Sequence, residues 1–226
     1  FVNTCWLVRH PEGDLLWDLG LPGMLTAAGP MEQGIFTVSL ETTLADELAA
    51  RGVRMDEIEQ AAISHSHFDH IGQIDQVDAN TVWLVHETEY AFMFPDEGDT
   101  PPDNAAQFAP FADLKLELFT GSKDVFGDGS VVIHETPGHT PGHTSLQVNL
   151  PETGAVFLTG DLYHRTESRE LRRVPQFNAD VAGAEDPGAQ TRASMDAFEA
   201  AVAAAGGRVI IQHEPDDVSV LADVMR

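Results

Sequence analysis

Three imidazoles and a carboxylate fall within six residues of this chain, in His65-Ser66-His67-Phe68-Asp69-His70. That spacing suits a tight loop whose side chains converge. Neutral imidazole and carboxylate are the donors that first-row divalent metals take. The preceding run, Ile58-Glu59-Gln60-Ala61-Ala62-Ile63-Ser64, ends apolar and reads as a buried strand. The cluster is therefore expected at a strand end, where a rigid scaffold holds its side chains. The same placement recurs further on. His139 lies in Thr136-Pro137-Gly138-His139-Thr140-Pro141-Gly142-His143, Asp161 follows Val156-Phe157-Leu158-Thr159-Gly160, and His213 follows Arg208-Val209-Ile210-Ile211-Gln212. The seven residues His65, His67, Asp69, His70, His139, Asp161 and His213 fill two metal positions if one carboxylate bridges and water completes the set.

The order His-x-His-x-Asp-His, Gly-His-Thr-Pro-Gly-His, Gly-Asp and a last His resembles the metallo-β-lactamase superfamily over nearly the whole chain. The resemblance implies an αββα sandwich of two mixed β-sheets flanked by helices, an α/β fold, and two divalent metal ions, with zinc the first expectation. It makes His65, His67 and His139 ligands of one metal. Asp69, His70 and His213 serve the other, and Asp161 bridges. His143 matches a family position that is not a ligand. Asp18-Leu19-Gly20 is similar to the family's Asp-x-Gly strand end, a support for the histidine loop. The flavodiiron branch has Glu where His67 stands. The true β-lactamases usually have Cys in place of the bridging Asp, and the only cysteine here, Cys5, is far from that motif.

Composition narrows the partners. The 226 residues fit one domain or a two-layered pseudo-repeat, and 42% hydrophobic residues can fill a core. With 37 acidic residues against 12 Lys and Arg, the net charge is −25, which repels phosphate backbones and demotes a nuclease. A small-molecule substrate is expected, with no nucleic acid and no membrane; a homodimer is left open. One cysteine allows no internal disulfide. No transmembrane run or signal peptide is visible. The chain begins inside a strand at Phe1-Val2-Asn3-Thr4-Cys5, so a further N-terminal segment is expected and cytoplasm and periplasm stay equally open.

Elsewhere, Trp6–Arg9 and Leu15–Asp18 read as a hairpin. Leu21 to Gly34 reads as a loop, with Met24 and Leu25 as candidate apolar contacts for substrate. Thr42 to Arg51, with Thr43-x-x-Asp46, reads as a capped helix. Thr81–Val85 reads as a strand and Glu87–Phe94 as a helix broken at Pro95. Pro95 to Pro110 reads as an insertion over the site. Four more strands are expected at Leu116–Phe119, Ser130–His134, Thr144–Val148 and Ala155–Leu158. Gln190–Ala205 reads as a helix ended by Gly206-Gly207.

Water activated between two divalent metals attacks an electrophilic carbonyl or phosphoryl centre. The chemistry gives hydrolysis but not the substrate. Gly160-Asp161-Leu162-Tyr163-His164, with Arg172-Arg173-Val174-Pro175-Gln176-Phe177-Asn178, resembles the N-acyl-homoserine lactonase branch. That branch implies lactone-ring opening by a metal-bridging hydroxide and a quorum-quenching role. Its members often carry Tyr three residues past the bridging Asp, where this chain has His164, with Tyr163 one earlier. Asp69, Asp161 and His164 are thus the expected catalytic residues, and Tyr163 joins Met24 and Leu25 as a candidate substrate contact. Another hydrolase of this fold, acting on a thioester, aryl ester or organophosphate, is the alternative, and a non-catalytic metal-binding protein is a third reading.

Overall fold

The computed structural model describes residues 1–96, 102, 105–181 and 185–219. They fall into two compact units. One comprises Asn3–Val85 and Met93–Leu118, the other Phe1–Val2, His86–Phe92 and Phe119–Arg226.

The first unit opens with the expected hairpin, β1 (Trp6–His10) against β2 (Gly13–Trp17), with Leu7 opposite Leu16. A one-turn helix α1 (Leu25–Ala28) and a hairpin β3 (Met31–Gln33) and β4 (Phe36–Val38) follow. The stretch read as a loop therefore holds short elements, too brief for a hydrophobic period to show. Helix α2 (Leu44–Ala50) starts at Thr43, whose hydroxyl accepts from the Asp46 amide at 3.2 Å, as the capping sequence predicts. Strands β5 (Gln60–Ala62), β6 (Val82–His86) and β7 (Lys115–Phe119) complete a mixed sheet in the order β1-β2-β5-β6-β7. β2, β5 and β6 run parallel, with Leu16, Ala61 and Trp83 in one register row. Leu15 to Trp17 and Trp83 to Val85 are buried without alternation, as in strands covered on both faces.

Of the stretch 95–110, residues 97–101 and 103–104 lie outside the described residues. Ala105–Asp113 forms a 3₁₀ helix. Its Phe108 and Phe111 are fully buried, Phe111 edge-on to Trp83 at 4.8 Å between ring centres and Phe108 edge-on to Phe94. Phe108 and Phe111 anchor this segment in the core of its unit.

In the second unit, helix α3 (Glu87–Met93) leads to a sheet of β8 (Lys123–Asp124), β9 (Val131–Glu135), β10 (Thr144–Leu150), β11 (Gly154–Leu158) and β12 (Arg208–Ile210). Its order is β12-β11-β10-β9-β8, with β12 parallel to β11 and the other neighbours antiparallel. Helices α4 (Thr166–Glu170), α5 (Ala189–Ala205) and α6 (Pro215–Ser219) follow. α5 buries Thr191, Ser194, Met195, Phe198 and Val202, the stripe of an amphipathic helix, and Gly206 ends it in the left-handed region. Met195 and Phe198 join Phe157, Leu162 and Tyr163 in one apolar cluster under the sheet. Among the described residues no helix is long and apolar enough to cross a membrane.

Candidate metal centre

Each unit carries a cluster of ligand-type side chains at strand ends. In the first unit, β2 is followed directly by Asp18, a buried aspartate whose φ of 59° lies in the left-handed region, where Asp is better tolerated than most residues. Its carboxylate sits under the loop that follows β5. It accepts from the Ser64 amide at 2.6 Å and the Ser64 hydroxyl at 3.0 Å, and lies 3.0 Å from His70 Nδ1.

A carboxylate only accepts, so His70 Nδ1 carries a proton, and the neutral ring presents a lone pair at Nε2. The Ser64 hydroxyl spends its hydrogen on Asp18 and so accepts from His65 Nδ1, 3.1 Å away. One carboxylate thus sets the tautomer of two histidines. His65 Nε2 faces His67 Nδ1 at 3.0 Å, and Asp69 lies 3.8 Å from His70 Nε2. The Asp69 carbonyl is pinned by the Asn3 amide at 2.8 Å. The four loop residues come together as the sequence predicts.

In the second unit the centre is Asp161, in a 3₁₀ turn directly after β11. His213 Nε2 lies 2.8 Å from its Oδ1, and His139 Nε2 lies 3.2 Å from its Oδ2. Each ring is anchored through its other nitrogen. His213 Nδ1 meets the Val2 carbonyl at 2.7 Å, and His139 Nδ1 meets the Asn178 side-chain oxygen at 3.1 Å. Both anchors are acceptors, so both Nδ1 atoms donate, and in the neutral rings both Nε2 lone pairs face carboxylate oxygens. Acceptor against acceptor at this distance is repulsive unless a cation lies between. The donor set therefore fits a divalent metal, and an oriented imidazole behind each Nε2 is the usual support for one.

The Thr136–His143 loop that carries His139 is held from two sides. Glu89 of α3 accepts from the Thr140 hydroxyl at 2.7 Å and the Gly142 amide at 3.0 Å. A Cβ on Gly142 would stand 2.1 Å from the Glu89 amide nitrogen, so α3 packs directly on the loop and only glycine fits there. His143 is not among the converging Nε2 atoms; its ring reaches Thr136 and the Asp161 amide.

His164 joins the cluster. Its Nε2 lies 3.1 Å from Asp161 Oδ2, its ring stacks parallel to His213, and its Nδ1 is buried with no partner among the described residues. Tyr163 does not join. It is 1% exposed, and its hydroxyl donates to Glu199 at 3.1 Å. Burial and the Glu199 carboxylate push its pKa up. Arg169 grips Glu199 through two bonds and holds that carboxylate below its usual range. The expected substrate contact at Tyr163 is corrected: its side chain is committed to the core of the unit. Leu25, at 2% exposure, is likewise core, whereas Met24 is 68% exposed.

Phe177 and Asn178 were not singled out from the sequence. Phe177 is 65% exposed, with its ring edge-on to His139 and His164 at 5.9 and 5.3 Å. The amides of Ala179 and Asp180 donate to the His139 and Gly138 carbonyls, strapping this segment to the loop. The available signal was an aromatic inside a segment similar to the lactonase branch.

The metallo-β-lactamase superfamily model matches residues 1–213, and the chain belongs to that superfamily. It has that family's fold, with mixed sheets flanked by helices. The N-acyl homoserine lactonase AttM of Rhizobium radiobacter is 27% identical over 222 residues, 93% of this chain and 81% of its own length. An N-acyl homoserine lactone hydrolase, solved with the product N-hexanoyl-L-homoserine at its catalytic metal centre, superposes with a TM-score of 0.75. It is 24% identical, over 96% of this chain and 82% of its own. AidC, a dizinc quorum-quenching lactonase, gives a TM-score of 0.67 at 20% identity, over 93% and 72%. Membership and the AttM relative support a hydrolase.

Replacing Asp18 by Asn puts an N–H donor where the His70 Nδ1 and Ser64 hydrogens now point. Zinc affinity is expected to fall about 10–100-fold, the range for partners that orient ligands. Competition against a chromophoric chelator measures it; an unchanged affinity would show that Asp18 does not orient the loop.

Proposed function

We propose that the chain is a dinuclear metal hydrolase that opens the lactone ring of N-acyl-homoserine lactones. The observation that carries the reading is Asp161, whose two oxygens are met separately by His213 and by His139, each ring presenting an Nε2 lone pair. That is the arrangement a carboxylate shared between two ions requires. In this reading His65, His67, His139 and Asp161 hold one ion, and Asp69, His70, His213 and Asp161 the other. Zinc is the expected metal, on the strength of the donor set and of AidC, a dizinc enzyme. Divalent metals at such a site lower the pKa of water to about 7 and polarise a carbonyl.

The chain's own residues do the rest. The imidazoles, locked in one tautomer by Asp18, Asn178 and the Val2 carbonyl, keep their donor atoms aimed without rearrangement. His164, beside Asp161 but not anchored through its second nitrogen, is free to donate to the departing ring oxygen. Phe177 offers an exposed apolar rim beside it for an acyl substituent. Addition of water to the ester carbonyl yields a hydroxy acid that ionises at neutral pH. A chain of net charge −25 does not repel a neutral lactone but does repel its anionic product.

A pH-indicator assay on acyl-homoserine lactones of several chain lengths, a β-lactam, a glutathione thioester and a phosphotriester tests this. Lactones are expected to exceed the others in kcat/KM. Efficient β-lactam or thioester turnover without lactone turnover would overturn the assignment.

A further inference from the structure

We infer that His143 is a positioning residue that aims the Asp161 carboxylate through the main chain. The inference rests on the reading of Asp161 as a metal ligand. His143 is fully buried, and its Nε2 accepts from the Asp161 amide at 2.9 Å. Its Nδ1 lies 3.0 Å from the Thr136 carbonyl and 2.9 Å from the Thr136 hydroxyl. The Thr136 hydroxyl continues to the Ser145 hydroxyl at 2.9 Å, and Ser145 donates to the Thr159 carbonyl at 2.9 Å.

Every proton on this path has one direction. The Thr159 carbonyl can only accept, so Ser145 donates to it. Thr136 therefore donates to Ser145, and its oxygen is left to accept from His143 Nδ1. From the other end, the Asp161 amide can only donate, so His143 Nε2 must be the acceptor. Both ends require the same tautomer. The chain of bonds starts at the amide of Asp161 and returns to the carbonyl of Thr159, two residues earlier, enclosing the Thr159-Gly160-Asp161 turn.

Gln212 closes the remaining gap by accepting from the Gly160 amide at 2.8 Å. The turn needs such support. Gly160 has φ +53°, and Asp161 departs from helical geometry at φ −97° and ψ 20°. Two consecutive amides are held by side chains from two other segments. The second histidine of Gly-His-Thr-Pro-Gly-His thus contributes to metal binding without touching a metal.

The test uses zinc-reconstituted protein and no lactone. Nitrogen-15 spectra of the wild-type imidazoles should show His143 protonated at Nδ1 and bare at Nε2. In His143→Gln the amide oxygen takes the place of Nε2 and can accept from the Asp161 amide, so zinc affinity should stay within about 3-fold of wild type. In His143→Asn the shorter amide takes the place of Nδ1, keeps Thr136 and loses Asp161. Its zinc affinity should fall about 10–100-fold, with unchanged circular dichroism and a similar melting temperature without metal.

A proton on Nε2 in the wild type, wild-type affinity in the Asn variant, or a Gln variant as weak as the Asn one would each overturn the inference. Should both variants unfold, the wild-type ring spectrum decides alone. Wild-type protein that binds no zinc would instead count against the dinuclear reading, while the spectrum still tests His143.

Discussion

Replacing Asp161 by Asn is expected to reduce bound zinc from close to two ions per chain to one or fewer, and kcat/KM for a lactone by more than about 100-fold. Changes to residues that merely orient ligands cost 10–100-fold, and Asp161 stands one step closer. Its side chain is buried, and its two oxygens face His213 and His139 at 2.8 and 3.2 Å. Asparagine keeps the shape and the main-chain bond to His143. It removes the negative charge and turns one oxygen into an N–H donor, which cannot coordinate a cation. Elemental analysis after reconstitution, with kinetics on the same sample, measures both. Full activity with two metals retained would show that Asp161 does not bridge.

The candidate ligands were legible because each follows an apolar run, after β5, β9, β11 or β12, and such runs announce strands. Their chemistry is carried by residue type alone. The supports are different. His139 is oriented by Asn178, 39 positions away, and the Thr140 hydroxyl is held by Glu89, 51 positions away. No local period marks such pairs, because packing of α3 and α5 onto the loop creates them. The short elements α1, β3, β4 and α4 were missed for a related reason: three to five residues cannot display a hydrophobic repeat.

Tyr163 shows how far residue type can mislead. It stands beside His164 in a motif similar to one with a substrate-facing tyrosine. The 3₁₀ turn ends at Leu162, and Tyr163 is extended at φ −134° and ψ 135°. In extended backbone successive side chains point to opposite sides. Tyr163 therefore enters the core toward Phe198, and His164 turns to Asp161.

That alternation makes His164 the residue whose truncation should most affect turnover without affecting metal content. His164→Ala is expected to lower kcat by about 10²-fold, within the usual contribution of one acid–base group, at unchanged zinc stoichiometry. His213, His139 and His70 each have a second ring nitrogen fixed on an oxygen acceptor, as ligands require. His164 has no such anchor, since its Nδ1 is buried without a partner among the described residues. A ring held only at the carboxylate can redirect its Nε2 hydrogen to a departing alkoxide. His164→Tyr should recover part of the loss, because a phenol hydroxyl can also donate there. Tyr163→Phe should leave kcat within about 3-fold and cost about 1 kcal/mol of stability, the net worth of its bond to Glu199. Measured on one lactone, with zinc content determined for each variant, an unchanged kcat in His164→Ala would assign the ring to packing against His213 and Phe177.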